Sequence, residues 1–312
     1  MNKDDIVDVF KRYRSESISS IEEITSIVSK INTNNNKKYI IKKVKNDKLQ
    51  IIKHEYKILY KLNQRGVPVA PILETKDGMY YVKKKEKYYF LFPFIDGKCI
   101  KSLYINDGQD IASSYGTSIA ILHRGLKQIS FNEDFSSDPF MNRILNASFD
   151  FISKYENQSK LSTIENIILE CKSFESKHKE LPIQLIHRDL HTENIIYSDN
   201  KVKAFIDFDN CSPGYRIYDL AYLMVDFLRQ DPQATSNSYW LKLCKSLIKG
   251  YDKESPLLKS EYEAIWYCLL CSQFAMIGHF YRFKEIDKAR KYLEGVFWIY
   301  RNKNNINKAL LK

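Results

Sequence analysis

The sequence predicts an α+β fold, and two patterns together with the chain length carry that expectation. Short strand-like runs, Tyr39 to Lys42, Met79 to Val82 and Lys87 to Phe94, dominate the first part of the chain. Later the apolar spacing turns helical over 111–122, 144–155, 161–177, 217–229, 239–251, 260–282 and 286–302, with Pro182, Pro213, Pro232 and Pro256 as breakers. At 312 residues there is room for a mostly β lobe of about a hundred residues and a mostly helical lobe of about two hundred.

Each element has a local reason. Ile18 to Ile31 should hold two strands and their turn, although it contains no glycine, which leaves Thr25 and Ser26 to make the turn. The polar patch Asn32 to Lys38 reads as a hairpin loop before the apolar strand Tyr39-Ile40-Ile41-Lys42. A helix over 48–64 follows, with Leu49, Ile52, Tyr56, Leu59, Tyr60 and Leu62 near helical spacing. The charge run Lys83 to Glu86 is the expected tip of a second hairpin. A third is predicted where Ile195-Ile196-Tyr197 meets Val202, Ala204, Phe205 and Ile206 across Ser198-Asp199-Asn200-Lys201.

That third hairpin carries the chemistry. His187-Arg188-Asp189-Leu190-His191-Thr192-Glu193-Asn194 precedes it and Ile206-Asp207-Phe208-Asp209 closes it, so Asn194 and Asp207 should lie close together. A carboxylate five residues ahead of an amide, followed by a second carboxylate after the hairpin, suits phosphoryl transfer. Hard Mg²⁺ takes oxygen ligands from one or two carboxylates or amides plus phosphates, a role that fits Asn194 and Asp207. Asp189 would orient an acceptor hydroxyl and take its proton.

The segment Leu185 to Leu223, with IHRDLHTENII, AFIDFDN and Tyr218-Asp219-Leu220-Ala221, resembles the aminoglycoside phosphotransferase and choline/homoserine kinase superfamily, relatives of the protein kinases. The resemblance implies a two-lobed, protein-kinase-like fold: a nucleotide-binding lobe over 1–94 and a helical lobe over 95–312 holding the catalytic loop and acceptor pocket. It also implies ATP or GTP and Mg²⁺ as cofactors, and a small-molecule hydroxyl as acceptor. Asp219 would brace the catalytic loop from a helix behind it, with His187 as a supporting residue. Only Asn210 to Ile217 separates IDFD from YDLA, which leaves no room for a phosphorylated activation loop and favours a small-molecule kinase over a protein kinase. Arg188 departs from the resemblance, since Gly is common there in that family.

By the same resemblance Lys42 ends the strand whose lysine grips the nucleotide phosphates, and Glu55 on the following helix is its ion-pair partner. Lys43 is a register rival, because a slip of one residue turns its side chain to the other face. Phe90 to Gly97 resembles the linker between lobes, with Phe92 and Phe94 as the candidate contacts to the base. Spore-coat proteins form another branch, and with no Gly-rich loop a non-catalytic or weakly active scaffold of that type is the alternative. An aminoglycoside acceptor would want an acidic pocket, choline an aromatic cage, and homoserine or a sugar a few polar groups.

Composition agrees. The net charge of +11 is spread over lysines mixed with acids, so a solvated surface is expected, with neither nucleic acid nor membrane as partner. There is no run of eighteen apolar residues and no signal-peptide pattern at Met1-Asn2-Lys3-Asp4-Asp5, so the expected location is cytoplasmic. Six scattered cysteines read as reduced thiols, and Cys268-Leu269-Leu270-Cys271, flanked by apolar helix, as core rather than zinc. His123, at the end of an amphipathic helix, is expected to pack or cap.

Overall fold

The computed structural model describes residues 1–44, 49–130, 140–230 and 238–311; Lys48 and Pro232 lie outside them. In chain order the elements begin with α1 (Lys3–Tyr13), β1 (Ile18–Thr25), β2 (Val28–Thr33), β3 (Lys38–Lys43), α2 (Leu49–Gln64), β4 (Val82–Lys84), β5 (Lys87–Pro93) and β6 (Lys98–Cys99). Next come α3 (Gly108–Lys127), α4 (Phe140–Ile152), α5 (Gln158–Lys177), β7 (Ile183–Ile186), β8 (Ile195–Ser198), β9 (Lys201–Phe205) and β10 (Ser212–Tyr215). The chain ends with α6 (Arg216–Arg229), α7 (Ser238–Glu254), α8 (Lys259–Glu263), α9 (Ile265–Arg282), α10 (Ile286–Arg301) and α11 (Lys303–Leu310). Two compact units result: Met1–Cys99 with Asn194–Asp209, and Ile100–Glu193 with Asn210–Lys312.

The first unit is built on an antiparallel five-stranded sheet of order β1-β2-β3-β5-β4. Successive side chains of a strand alternate between faces, so Tyr39 and Ile41 of β3 share one face with Tyr89 and Leu91 of β5 and join Ile6, Val9, Phe10 and Tyr13 of α1 in a core. Ile40 and Lys42 turn to the opposite face with Phe90 and Phe92. Helix α1 is an element sequence reasoning passed over, although its signals are present. Asn2 caps it by accepting from the Asp4 amide, Asp4 and Asp5 sit in its first turn, and Ile6, Val9, Phe10 and Tyr13 follow helical spacing.

The turn between β1 and β2 manages without glycine because the Thr25 hydroxyl accepts from the Ile27 and Val28 amides, 3.3 and 3.1 Å away. The charge run is the β4–β5 turn, with φ of +48° at Lys85 and +58° at Glu86. Lys84 and Lys85 pair with Asp5 and Asp8 of α1, and Lys83 with Glu86. Met79 to Tyr81 do not extend β4, contrary to the expected strand. Tyr80 instead stacks on Tyr56 of α2, ring centroids 4.0 Å apart. A second sheet, β6-β8-β9, completes this unit, its β8–β9 turn carrying positive φ at Asp199 and Asn200.

The second unit is helical apart from the β7–β10 pair. Helices α3 and α7 meet backbone to backbone: a Cβ on Gly116 would stand 1.9 Å from the Leu247 carbonyl oxygen, and one on Gly250 2.0 Å from that of Ser113. Pro213, expected between helices, lies in β10 opposite Leu185. The expected helix 260–282 is broken at Ala264 into α8 and α9, and α9 carries Trp266, Tyr267, Phe274 and Tyr281 into the core. Cys268 and Cys271 are fully buried free thiols. No helix among the described residues is long and apolar enough to cross a membrane.

Candidate active site

In the first unit, register decides which lysine faces the functional groups. Lys42 lies on the sheet face opposite α1, whereas Lys43 pairs with Tyr89 on the α1 face. The Lys42 ammonium is 3.1 Å from Glu55 Oε1 and 2.6 Å from Asp207 Oδ1. Lys42 and Glu55 are 7% and 2% exposed, so this is a buried charge cluster. Burial works against the charged ammonium, but Glu55 and Asp207 outweigh it and hold its pKa above the usual lysine value.

Asp207 lies two residues beyond β9 in a left-handed backbone conformation, φ +66°. The Ile206 amide donates to the Asn194 carbonyl oxygen at 3.1 Å, which closes the hairpin next to both candidate metal ligands. Asn194 is buried and the Asp207 side chain about a quarter exposed. Phe92 is half-buried on the Lys42 face, in edge contact with Phe90. The Phe94 amide donates to the Lys38 carbonyl oxygen, and its ring is flanked by the Lys30 and Lys38 ammonium groups at 5.1 and 5.5 Å.

In the second unit the loop after β7 is fastened residue by residue to one face of α6. Asp219, fully buried, accepts from the His187 and Arg188 amides, each at 2.8 Å, and its Oδ2 lies 3.0 Å from His123 Nε2. Burial works to raise the Asp219 pKa, but hydrogen bonding and charge from His123, with further help from His187, hold it below the usual carboxylate value. A turn further along α6, the Tyr222 hydroxyl donates to Asp189 Oδ1 at 2.9 Å. Burial first, then the Asp189 charge, keeps that phenol neutral, its pKa well above the ordinary tyrosine value. Asp226 Oδ2 accepts from the Thr192 amide and hydroxyl at 3.0 and 2.9 Å, and from Gln230 Nε2 at 3.0 Å.

Arg188 stands at a position where geometry favours glycine, with φ of +68°. Its amide bond to Asp219 and a 2.8 Å bond from its guanidinium to Ser212 Oγ hold it in that conformation. His123, read as a packing residue, lies between Asp219 and the Tyr251 hydroxyl, 2.9 Å from its Nδ1, and so supports the residue that braces the loop. Tyr222, Asp226 and Gln230 were not singled out from the sequence. Their signal is helical spacing from Asp219, at three, seven and eleven residues, which aligns Asp219, Tyr222 and Asp226 of α6 with its C-cap Gln230 on one face.

Asp189 opens on a cavity of roughly 310 Å³ formed entirely by the second unit. Its walls carry both signs of charge, from Lys101 and Arg229 to Glu193 and Asp226, and the rings of Tyr222, Phe280 and Tyr292.

The donor set at the β8–β9 hairpin, an amide and a carboxylate, suits Mg²⁺. Among the described residues no three His, Cys, Asp or Glu side chains gather into a cage, so such an ion would draw its remaining ligands from phosphates and water.

A model of the phosphotransferase enzyme family matches residues 23–254. A homoserine kinase of Pseudomonas aeruginosa is 21% identical over 225 residues, covering 72% of this chain and 68% of its own. Amicoumacin kinase, solved in complex with AMP-PNP and Ca²⁺, superposes with a TM-score of 0.70 at 15% identity over 95% of this chain and 94% of its own. An aminoglycoside phosphotransferase from Alicyclobacillus acidocaldarius gives 0.72 at 16% identity over 97% and 94%. At these identities the solved structures establish a shared fold, the α+β, protein-kinase-like architecture expected from the sequence.

Proposed function

This chain belongs to the phosphotransferase enzyme family, and on that premise we propose that it transfers the γ-phosphoryl group of ATP or GTP, with Mg²⁺, to a hydroxyl of a small molecule. The observation that carries the reading is the ion cluster of buried Lys42 and Glu55 with the partly exposed Asp207. Taking such charges out of water costs several kcal/mol per ion before their attraction is counted, by order of magnitude. A cluster that burdens folding in this way has a reason to exist if Lys42 grips phosphates and Asp207 binds metal. A non-catalytic scaffold has no such reason, and that alternative is not favoured.

Each residue then has a task. Glu55 holds Lys42 in the position to meet nucleotide phosphates, and Phe92 and Phe94 are the candidates to contact the base. Asn194 and Asp207 would hold Mg²⁺, which when bound neutralises phosphate charge. Asp189, oriented by Tyr222, takes the proton of the acceptor hydroxyl as that oxygen attacks phosphorus. Asp219 and His187 keep the loop backbone in place.

The test is Mg²⁺-dependent release of ADP or GDP over a panel of hydroxyl acceptors, with Asp189→Asn as control. Release stimulated by an acceptor and lost in the variant is the expected result. No stimulation by any acceptor, together with no Mg·nucleotide binding by calorimetry, would overturn the reading.

A further inference from the structure

Resting on that reading, we infer that the acceptor is a small hydroxy compound bearing an anionic group, such as a carboxylate, bound by Lys101 and Arg229 while its hydroxyl meets Asp189. All three side chains line the same cavity. At roughly 310 Å³ the cavity is of a size that takes a small molecule.

The charges in the cavity are not equally available. Asp226 is 9% exposed and already accepts from the Thr192 amide, the Thr192 hydroxyl and Gln230. Asp189 accepts from Tyr222. Lys101, by contrast, is exposed and has no ion pair with any described residue. Arg229 lies 3.6 Å from Asp226, beyond hydrogen-bond distance, with its side chain half exposed, so its N–H edge can receive a ligand. Glu193 is exposed in the same wall with the opposite sign, so the cationic groups open to a ligand are Lys101 and Arg229.

The rings of the cavity point the same way. A quaternary ammonium would need open aromatic faces. The Arg229 guanidinium already lies over the Tyr292 ring at 5.0 Å, and the Lys288 ammonium over Phe280 at 5.4 Å. Two of the cavity's rings thus already have a cation of the protein beside them.

The experiment measures kcat and KM with fixed Mg·ATP for four acceptors: glycerate, homoserine, glycerol and choline. The carboxylate-bearing pair should be favoured at least about tenfold in kcat/KM, the worth of one charge-assisted contact. Lys101→Gln and Arg229→Gln, made separately, should each raise KM for the favoured acid about 10- to 100-fold and narrow its preference over glycerol, with a smaller change in kcat. Preference for choline or glycerol, or variants that keep the preference intact, would overturn the inference while leaving phosphotransfer in place. Failure of the function itself is distinguished by absence of turnover with every acceptor and of nucleotide binding.

Discussion

Replacing Asp219 with Asn tests how the catalytic loop is held. The wild-type carboxylate receives the His187 and Arg188 amides on separate oxygens at 2.8 Å and lies 3.0 Å from His123 Nε2. An isosteric amide keeps one acceptor and turns an NH₂ toward the other backbone N–H, a donor facing a donor with no water to relieve it. One charge-assisted bond is lost, about 1.5–3 kcal/mol, and a buried donor is left unsatisfied, about 1–3 kcal/mol more. The sum, about 2.5–6 kcal/mol, brackets the range of about 3–5 kcal/mol for breaking a buried ion pair. Calorimetry should show the transition of the second unit lowered by roughly 2–4 °C per kcal/mol, and acceptor-stimulated turnover should fall with it. The folded pKa of Asp219 lies below its ordinary 3.8. The stability it contributes is therefore fully present above that ordinary value and is lost as pH falls through the lower folded one. The difference between wild type and variant should accordingly shrink in strong acid. A variant that melts within about 1 kcal/mol of wild type at neutral pH and retains turnover would refute this account of the brace.

Tyr222→Phe removes the donor to Asp189 without opening a cavity, so kcat should drop about tenfold while the nucleotide KM stays near wild type, as steady-state kinetics will show. Because burial and Asp189 hold that phenol neutral well above its usual 10.0, the wild-type and Phe pH profiles should run parallel up to pH 10. Lys42→Met should abolish Mg·nucleotide binding in calorimetry and destabilise the first unit by about 3–5 kcal/mol, since Glu55 is left buried and uncompensated. Adding Glu55→Met should restore most of the stability and none of the binding; recovery of binding would contradict the assignment. Burial raises the thiol pKa of Cys171 to about 12 and those of Cys244, Cys268 and Cys271 well above the usual value. A thiol reagent at neutral pH should therefore modify half-buried Cys99 first, and these four only on unfolding, which mass mapping can follow.

The parts of the site legible in the sequence are those whose geometry is local. Asn194 and Asp207 are joined by one short hairpin, so the alternation of Ile195 to Tyr197 and Val202 to Phe205 suffices to bring their backbones together. The choice between Lys42 and Lys43 stayed open because both readings satisfy strand propensity. Only the pairing of β3 with β5 and the packing of α1 settle the face. The cavity was not legible at all. Lys101, Arg229, Phe280 and Tyr292 come from far-separated segments, and nothing in their local spacing requires them to meet.

Helix α6 joins the two kinds of information, and that has a consequence for specificity. Its Asp219, Tyr222, Asp226 and Gln230 hold the loop from His187 to Thr192, while Tyr222, Asp226 and Gln230, with Arg229, also line the cavity. A substitution at Tyr222, Asp226 or Gln230 therefore changes the cavity wall and the loop position together, whereas Arg229, 3.6 Å from the loop-holding Asp226, touches the loop only through it. Lys101, Phe280 and Tyr292 line the same cavity from outside α6. Acceptor preference can thus change through them with less disturbance of Asp189, so in a combined Lys101→Gln and Tyr222→Phe variant the KM and kcat effects should add. On the proposed reading Lys101 and Tyr222 serve opposite ends of the acceptor, and a coupling energy above about 0.5 kcal/mol in that double-mutant cycle would show that the proposed anion site and base are not independent.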